Sequence, residues 1–340
     1  MRTLAWPARG RARSIGAFGG VVLAVVCATQ VGAEGLGLFP VRNFQPIQLM
    51  FLGMPGDRGA VLQKGALDIR VDLAETSSVF RDTSAGTDVS MSFETLRTGL
   101  FFRYGLTERL EVGLEIPALY RSRGFLEGAI TATERATTGL APARNALGKS
   151  GFLYDFKKDG RTLFSGREGQ AGLGDITLSG KYRIFSEDRY LPTVSARVAV
   201  KVPSGNDRRF FGSGHADVGV GLAAEKAVFD RWVTYANVNA IFPTGKVSGL
   251  SVHPAMSALT AVEYLWTPAF SLVAQFDYYS SPFRGTGSPV LDRGVTEVAA
   301  GINYRIRDRV LWQVYGVENV DFIRGSAADF TLSTVMTYRF

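Results

Sequence analysis

The feature of this sequence that most constrains its fold is a strict alternation of apolar and charged residues. In residues 67–73, written LDIRVDL, every second residue is apolar and each residue between is charged. Residues 96–104 (LRTGLFFRY) and 110–116 (LEVGLEI) repeat the alternation less strictly. Successive side chains of a β-strand point to opposite faces, so a period of two predicts strands with one apolar and one polar face. The sequence therefore predicts an all-β chain.

The last eleven residues, 330–340 (FTLSTVMTYRF), form one further alternating strand. A free apolar strand edge promotes aggregation, whereas a strand in a closed barrel has neighbours on both sides and lipid outside. Phe340, with Tyr338 two residues earlier, resembles the assembly signal of bacterial outer-membrane barrels. This pair predicts that the barrel-assembly machinery is a partner of the chain.

The N-terminal residues read as a signal peptide. Four arginines lie among the first thirteen residues, residues 15–28 are largely apolar, and small residues stand at 32 and 33. The apolar stretch is short for a bilayer span, so we expect cleavage after Ala33 and loss of Cys27 with residues 1–33. An anchoring helix is the alternative.

Removal of that segment changes the charge balance. The chain has 38 basic and 31 acidic residues, and four of the basic ones precede Glu34, which leaves 34 against 31, a net charge of +3. Such a small excess does not point to nucleic acid. A mature chain without cysteine has no disulfide framework, and it contains no run of eighteen apolar residues that would form a spanning helix.

The strands and their connections predict a transmembrane antiparallel β-barrel of about twelve strands over residues 65–340. Short connections alternate with longer, Gly/Ser-rich ones, and the longest runs from 121 to 170. Outer-membrane barrels have short periplasmic turns and longer extracellular loops, so we place the long connections, including 75–90, at the cell surface. The predicted strands are 67–73, 96–104, 110–116, 172–185, 192–202, 215–226, 232–242, 254–265, 269–281, 294–306, 309–319 and 329–340.

Two repeated features support this register. Proline has no N–H for a β-ladder, so it should end each rising strand at the outer side. The prolines concerned are Pro117, Pro203, Pro243 and Pro282. Tyrosines near the periplasmic ends of descending strands suit a membrane interface. They are Tyr104, Tyr182, Tyr264, Tyr304 and Tyr338.

Residues 34–64 do not alternate, and two interpretations stay open. Residues 47–52 are apolar on both faces, and prolines and glycines interrupt the rest. The segment is either a plug in the barrel mouth or a periplasmic strand packed on the rim.

The polar faces of the strands are predicted to line the lumen. They carry both signs of charge, which fits either a salt-bridged filler or a water-filled channel that guides a polar solute. A twelve-stranded barrel leaves a narrow pore, and glycines at 99, 113, 219, 221 and 301 leave room in it. The charged candidates are Asp68, Arg70, Asp72, Arg97, Arg103, Glu111, Glu115, Asp175, Lys181, Arg183, Arg197, Lys201, Asp217, Glu225, Glu263, Asp277, Glu297, Arg305 and Arg339. Uncharged candidates are Asn237, Asn239, Gln275, Asn303 and Gln313.

The sequence offers little for catalysis. Outer-membrane lipases use Ser and His on a barrel. Ser213 and His215, like Ser251 and His253, stand two residues apart and so would share one face of a strand, but no lipase-type motif surrounds them. Two histidines with scattered carboxylates lack metal-ligand spacing, so we expect neither a metal nor a cofactor. The surface loop 121–170 has nine basic and five acidic residues, which suits either binding to the phosphates of lipopolysaccharide or an ordinary solvated loop. Residues 141–147 predict a short helix at the mouth.

Short motifs resemble those of known outer-membrane proteins. Residues 172–176 (GLGDI), 181–182 (KY), 201–205 (KVPSG) and 242–245 (FPTG) look like hairpins of outer-membrane channels associated with aromatic-compound degradation of the phenol meta-pathway type. Residues 39–43 (FPVRN), 318–319 and 329–330 are similar to an uncharacterised proteobacterial outer-membrane family, a domain of unknown function. The resemblance implies a porin-like barrel and supplies no catalytic residue.

These observations lead to one expectation and two alternatives. We expect a non-enzymatic protein in the outer membrane of a Gram-negative bacterium, in contact with its lipid, that acts as a passive channel for small solutes of amphipathic or aromatic character. One alternative is a closed structural barrel whose surface loops bind lipopolysaccharide or a partner. The other is a lipid-modifying enzyme that uses His215 or His253.

Overall fold

The structure, a computed structural model, describes residues 34–84, 86–137, 139–140, 142–147, 151–320 and 328–340. The predicted signal peptide, residues 1–33, lies outside these ranges. The helices in the described ranges are all too short or too polar to cross a bilayer.

The described residues form seventeen strands and three short α-helices. The strands are β1 (Leu67–Ser84), β2 (Thr87–Gly105), β3 (Leu110–Ser122), β4 (Leu153–Lys158), β5 (Arg161–Ser165), β6 (Ala171–Leu173), β7 (Ile176–Phe185), β8 (Thr193–Val202), β9 (Asp217–Phe229), β10 (Trp232–Pro243), β11 (Lys246–Val247), β12 (Leu250–Ser251), β13 (Ala255–Thr267), β14 (Phe270–Tyr279), β15 (Val295–Arg307), β16 (Val310–Asn319) and β17 (Ala328–Arg339). The helices are α1 (Leu126–Ala136), α2 (Pro142–Leu147) and α3 (Pro289–Asp292).

Twelve of these strands form a closed antiparallel barrel, as the sequence predicted. The ring runs through β1, β2, β3, β7, β8, β9, β10, β13, β14, β15, β16 and β17. It closes where β17 pairs with β1, with Arg339 opposite Asp68. Closure leaves none of the twelve with a free edge over its membrane-spanning part, which is the requirement for a sheet in lipid.

The alternation separates a lipid face from a lumen face. Val71 and Leu73 are each 40% exposed, whereas Asp72 between them is 6% exposed. Large apolar side chains are exposed around the whole ring, as on an outer-membrane barrel, and the chain is an outer-membrane protein on this architecture. Tyr104, Tyr182, Tyr304 and Tyr338 are exposed near the periplasmic ends of their strands, and Tyr264 packs on Trp232 there.

The predicted surface loop at 75–90 is wrong. Strands β1 and β2 stay paired in register to Ser84 opposite Thr87. Beyond the bilayer neither face of this hairpin meets lipid, so the apolar alternation is no longer required, and residues 75–78 (ETSS) are polar on both faces. The β-branched and aromatic residues that follow still favour a strand.

The long connection 121–170 is more structured than predicted. It contains α1, α2, β4 and β5, and β4 pairs with the upper part of β2 along residues 153–158. α2 falls within the segment predicted as a helix. The insertion therefore extends the β1–β2 hairpin into a small sheet outside the membrane.

Pro117 does not end its strand, contrary to the prediction. β3 continues past it to Ser122 and pairs with β2 throughout, with Pro117 opposite Gly99. The carbonyl of Pro117 accepts from the Gly174 N–H at 2.9 Å, so its ring nitrogen also faces β6 and β7. The N–H that proline lacks would face the gap between β6 and β7. The ladder is therefore interrupted between those two strands, and β3 itself continues.

Candidate functional site

The lumen contains the charged residues that the alternation predicted for it, together with the N-terminal segment (residues 34–64). Each of those charged residues lies on the inward-facing register of its strand, except Asp175, which lies between β6 and β7. Arg70, Arg103, Arg183, Arg197 and Arg305 are half-buried, and Arg339 is exposed at the periplasmic rim. The buried ones are Asp68, Asp72, Arg97, Glu111, Glu115, Asp175, Lys181, Lys201, Asp217, Glu225, Glu263, Asp277 and Glu297.

The N-terminal segment passes through the lumen without joining the sheet. It contains one short 3-10 helix, Gln48–Met50, and no strand, although most of its side chains from 35 to 56 are buried. Its conformation follows from its prolines and glycines, which break both helix and strand periodicity. Side chains of the barrel therefore supply its hydrogen-bond partners.

One half of the lumen binds this segment through apolar contacts. Leu36, Leu38, Phe39, Val41 and Phe44 pack against inward residues of β10 and β13–β17. The ring of Phe39 stacks on that of Tyr315 with centroids 4.4 Å apart. Burial of five large apolar side chains is a substantial stabilising contribution, at roughly 1.5–3 kcal/mol each.

Glu263 lies within this apolar half and binds the start of the segment. Its carboxylate is fully buried and accepts from the backbone N–H groups of Leu36 at 3.0 Å and Gly37 at 3.2 Å. The hydroxyls of Tyr235 and Ser271 each donate to it at 2.5 Å. Hydrogen bonds thus stabilise a carboxylate that has no cationic partner among the described residues.

The other half of the lumen binds the segment through ion pairs. Asp57 Oδ2 lies 3.0 Å from Lys181 Nζ, and Asp57 Oδ1 lies 3.3 Å from Arg103 Nη1. Arg58 pairs with Glu225 at 3.0 Å. Because Lys181 is 5% exposed, its ammonium needs these carboxylates to offset desolvation.

Arg42 makes a second ionic contact nearer the outer side. Its Nη2 lies 2.9 Å from Glu115 Oε1, and Arg97 also contacts that carboxylate. Asp72 and Arg70 complete this group, with Arg70 Nε 2.9 Å from Asp72 Oδ1. The sequence places both signs on these strands but does not reveal Arg42, Asp57 and Arg58 as their partners.

A buried lysine joins the barrel, a surface loop and the N-terminal segment. Lys201 Nζ lies 2.6 Å from Asp175 Oδ2 and 3.3 Å from Asp217 Oδ2, and its side chain is 2% exposed. Asp217 Oδ2 also accepts from the Leu52 N–H at 2.8 Å. Ser213, in the loop after β8, accepts from Lys201 Nζ at 2.6 Å.

Lys201 donates a hydrogen bond to Ser213, the serine that would be the nucleophile if the protein were a lipid-modifying enzyme. Besides accepting from Lys201, the Ser213 hydroxyl donates to the backbone carbonyl of His215 at 3.1 Å. No hydrogen bond among the described residues joins it to the His215 imidazole, as a nucleophile and its base require. Within the described ranges no group of three or more His, Cys, Asp or Glu has metal-binding geometry.

Outside the membrane the loops close over the N-terminal segment in an apolar cluster. The rings of Phe51 and Phe283 pack edge to face at 5.5 Å, and Phe164 packs on Phe156 and Phe210. The sequence gives no signal for this outer cluster, because its residues come from separate loops without a common period. It covers the outer end of the lumen.

Arg144 of α2 fixes the surface helices to the barrel. It pairs with Glu127 at 2.7 Å and Asp329 at 2.7 Å and also contacts Glu134. Burial alone lowers the pKa of its guanidinium, but the carboxylates raise that pKa above its ordinary value. Arg144 therefore stays charged at any pH at which the barrel is studied.

One protein family matches this sequence, and several solved structures have a similar fold. The profile of a family described as a protein of unknown function (DUF3187) matches residues 18–340. Among solved structures, the COG4313 outer membrane channel from Pseudomonas putida F1 is similar at 18% identity and a TM-score of 0.56, over 84% of this chain and 99% of that one. The NanC porin aligns at 12% identity and 0.45, over 81% and 98%. The Pseudomonas putida toluene transporter TodX aligns at 11% and 0.37, over 87% and 92%. No curated protein matches the chain.

Proposed function

The chain belongs to the DUF3187 family of unknown function, and we propose that it is a passive outer-membrane channel for small amphipathic solutes, held closed in this structure by its N-terminal segment. The similar COG4313 protein is described as an outer membrane channel, and the likeness in fold supports the same class of activity here. The contents of the lumen supply the further support.

The observation that carries the proposal is that a separate chain segment fills the lumen. A permanently closed barrel can be filled by side chains of its own strands, as small barrels are. Here inward glycines leave space instead, and a Cβ atom at Gly219 would lie 2.5 Å from Met54 Sδ and 2.9 Å from Leu52 Cδ2. A segment that occupies such space without a β-ladder can leave it without unfolding the barrel.

The solute class is inferred from the two halves of the lumen. Inward residues of β10 and β13–β17 include Val233, Leu259 and Val317, whereas β1–β3 and β7–β9 carry most of the paired charges. A passage with one apolar and one charged side suits a solute that has both an apolar part and a polar group. The N-terminal segment itself has this composition.

The outer cluster favours the alternative of a closed structural barrel with functional surface loops. Its fully buried rings, Phe156, Phe164 and Phe283, close the extracellular end in the same way as a domain core. Lipopolysaccharide or a partner would then bind the loop surface above it.

Single-channel recording in planar bilayers tests the proposal. The protein spanning residues 34–340 should give small or rare conductance. The protein spanning residues 63–340 should conduct steadily, because its lumen is then empty and the outer cluster has lost Ile47, Met50 and Phe51. Circular dichroism and heat-dependent electrophoretic mobility establish that both barrels are folded. Silence from two folded barrels would reject the channel in favour of the structural alternative. Equal steady conductance would retain the channel and reject closure by the N-terminal segment.

A further inference from the structure

A cavity of about 270 Å³ remains open at the periplasmic end of the lumen. Residues 34–38 and 56–58 of the N-terminal segment form one side of it. The first residues of β1 and β16 and the last residues of β2, β15 and β17 form the other. Its size matches a small organic molecule. Six arginines line it: Arg58, Arg70, Arg103, Arg305, Arg309 and Arg339.

The two less exposed carboxylates of this cavity, on Asp68 and Asp57, already have cationic partners. Asp68 accepts from Arg339 at 2.7 and 2.9 Å and from Arg103 at 3.1 Å. Asp57 is paired with Lys181 and Arg103. The other two carboxylates, on Glu34 and Asp308, are exposed, so water and salt screen their charges.

Three of the arginines keep hydrogen-bond donors for a ligand. Among the described residues, the guanidinium groups of Arg305 and Arg309 make no hydrogen bond or ion pair. Arg70 lies with its Cζ 3.9 Å from the centre of the Phe101 ring, and its one ion pair, to Asp72, uses Nε. Its two terminal nitrogens are therefore available, although its side chain is only 11% exposed.

The pairing register of the barrel strands places Arg70 and Arg305 at the two ends of one row of paired residues. Arg70 is opposite Thr337, Thr337 is opposite Leu311, and Leu311 is opposite Arg305 on successive strands. Three strand spacings separate the ends, roughly 14 Å along the wall. Between the two guanidinium groups lie a hydroxyl and a leucine, with Leu36 and Leu38 of the N-terminal segment also lining the cavity.

We propose that this cavity binds a small amphipathic organic anion. Its carboxylate is held by Arg305 and Arg309, where planar guanidinium groups match carboxylate geometry, and its apolar part contacts Leu36, Leu38 and Leu311. The proposal rests on the channel function above and gives its solute class. Because residues 34–38 and 56–58 form one of its walls, the cavity exists while the N-terminal segment occupies the lumen, and it binds the solute at the periplasmic end of the closed channel.

Equilibrium binding tests this site independently of conduction. The probe is benzoate, with benzyl alcohol and benzylamine as neutral and cationic probes of similar shape, titrated by calorimetry into the detergent-solubilised protein, residues 34–340. We expect benzoate to bind more tightly than either analogue. Arg305→Gln and Arg309→Gln should each weaken benzoate binding about tenfold, the loss of one charge-assisted contact. Arg231→Gln removes an arginine from another periplasmic turn and serves as the control.

Each outcome decides the proposal. Selective benzoate binding that both variants weaken, and that Arg231→Gln leaves unchanged, supports it. Equal affinity for the three probes, no binding, or full benzoate affinity in both variants overturns it. Current recordings on the same proteins keep the two proposals apart, because a barrel that conducts but ignores benzoate retains the channel and loses only this site.

Discussion

Removing the charge of Asp57 should release the N-terminal segment from the lumen. Asp57→Asn keeps the shape of the side chain but leaves Lys181, 5% exposed, with Glu111 at 3.5 Å as its nearest remaining carboxylate. Breaking a buried ion pair by removing one partner costs about 3–5 kcal/mol. Because Glu111 compensates part of this, we expect the bound state of the segment to lose about 2 kcal/mol. That loss multiplies the released population roughly 30-fold.

The assay is the open probability of single channels at fixed voltage. Asp57→Asn should raise the open probability roughly 30-fold. Glu168→Gln should leave the open probability unchanged, because Glu168 pairs with Arg123 on the exposed surface. The double variant Asp57→Asn with Lys181→Met leaves no buried charge unpaired at this position. Its open probability should therefore be lower than the summed free-energy changes of the two single variants predict. Unchanged open probability in folded Asp57→Asn, or strict additivity in the cycle, would refute the reasoning.

Three further predictions concern other parts of the molecule. Gly219→Val should displace Met54, because the added Cβ atom would lie 2.5 Å from its sulfur, and raise conductance, whereas Gly180→Val on the outward register should not. Phe340→Ser should reduce the yield of heat-modifiable barrel in the outer membrane, and normal assembly would contradict the assigned assembly signal. In the turn after β7, the backbone N–H groups of Leu191 and Tyr190 lower the pKa of Asp188 below its ordinary value of 3.8. Its stabilising contribution is therefore present above that value and lost as pH falls through the lowered pKa. Asp188→Ala should lower the Tm at pH 7 by an amount that disappears in stronger acid.

The barrel could be predicted from the sequence because lipid enforces the pattern. Every membrane-spanning strand must be apolar on one side, so residues 67–73 and 110–116 alternate visibly. Where that requirement ends, the prediction missed strands, namely the upper part of the β1–β2 hairpin and β4 and β5 in the connection 121–170. Those segments meet water and other loops, which impose no common period.

The sequence left two positions open for the N-terminal segment and could not predict its contacts, because its partners are distant in the sequence. Leu36 binds Glu263, which is 227 residues away, and the carboxylate of Asp57 meets Lys181, 124 residues away. Local periodicity carries no information about such contacts.

The two halves of the lumen oppose release of the segment to different degrees. Glu263, Asp217 and Glu111 accept backbone N–H groups of the segment, and water that enters an emptied lumen can replace those donors, so their net cost of release is small. The apolar contacts of Leu36, Phe39 and Val41 have no such replacement, because water hydrates the exposed surface unfavourably. An amphipathic solute that covers Tyr315 and Leu259 supplies the missing apolar contact. Such a solute therefore stabilises the open lumen that it needs for passage, whereas a fully polar solute of the same size does not.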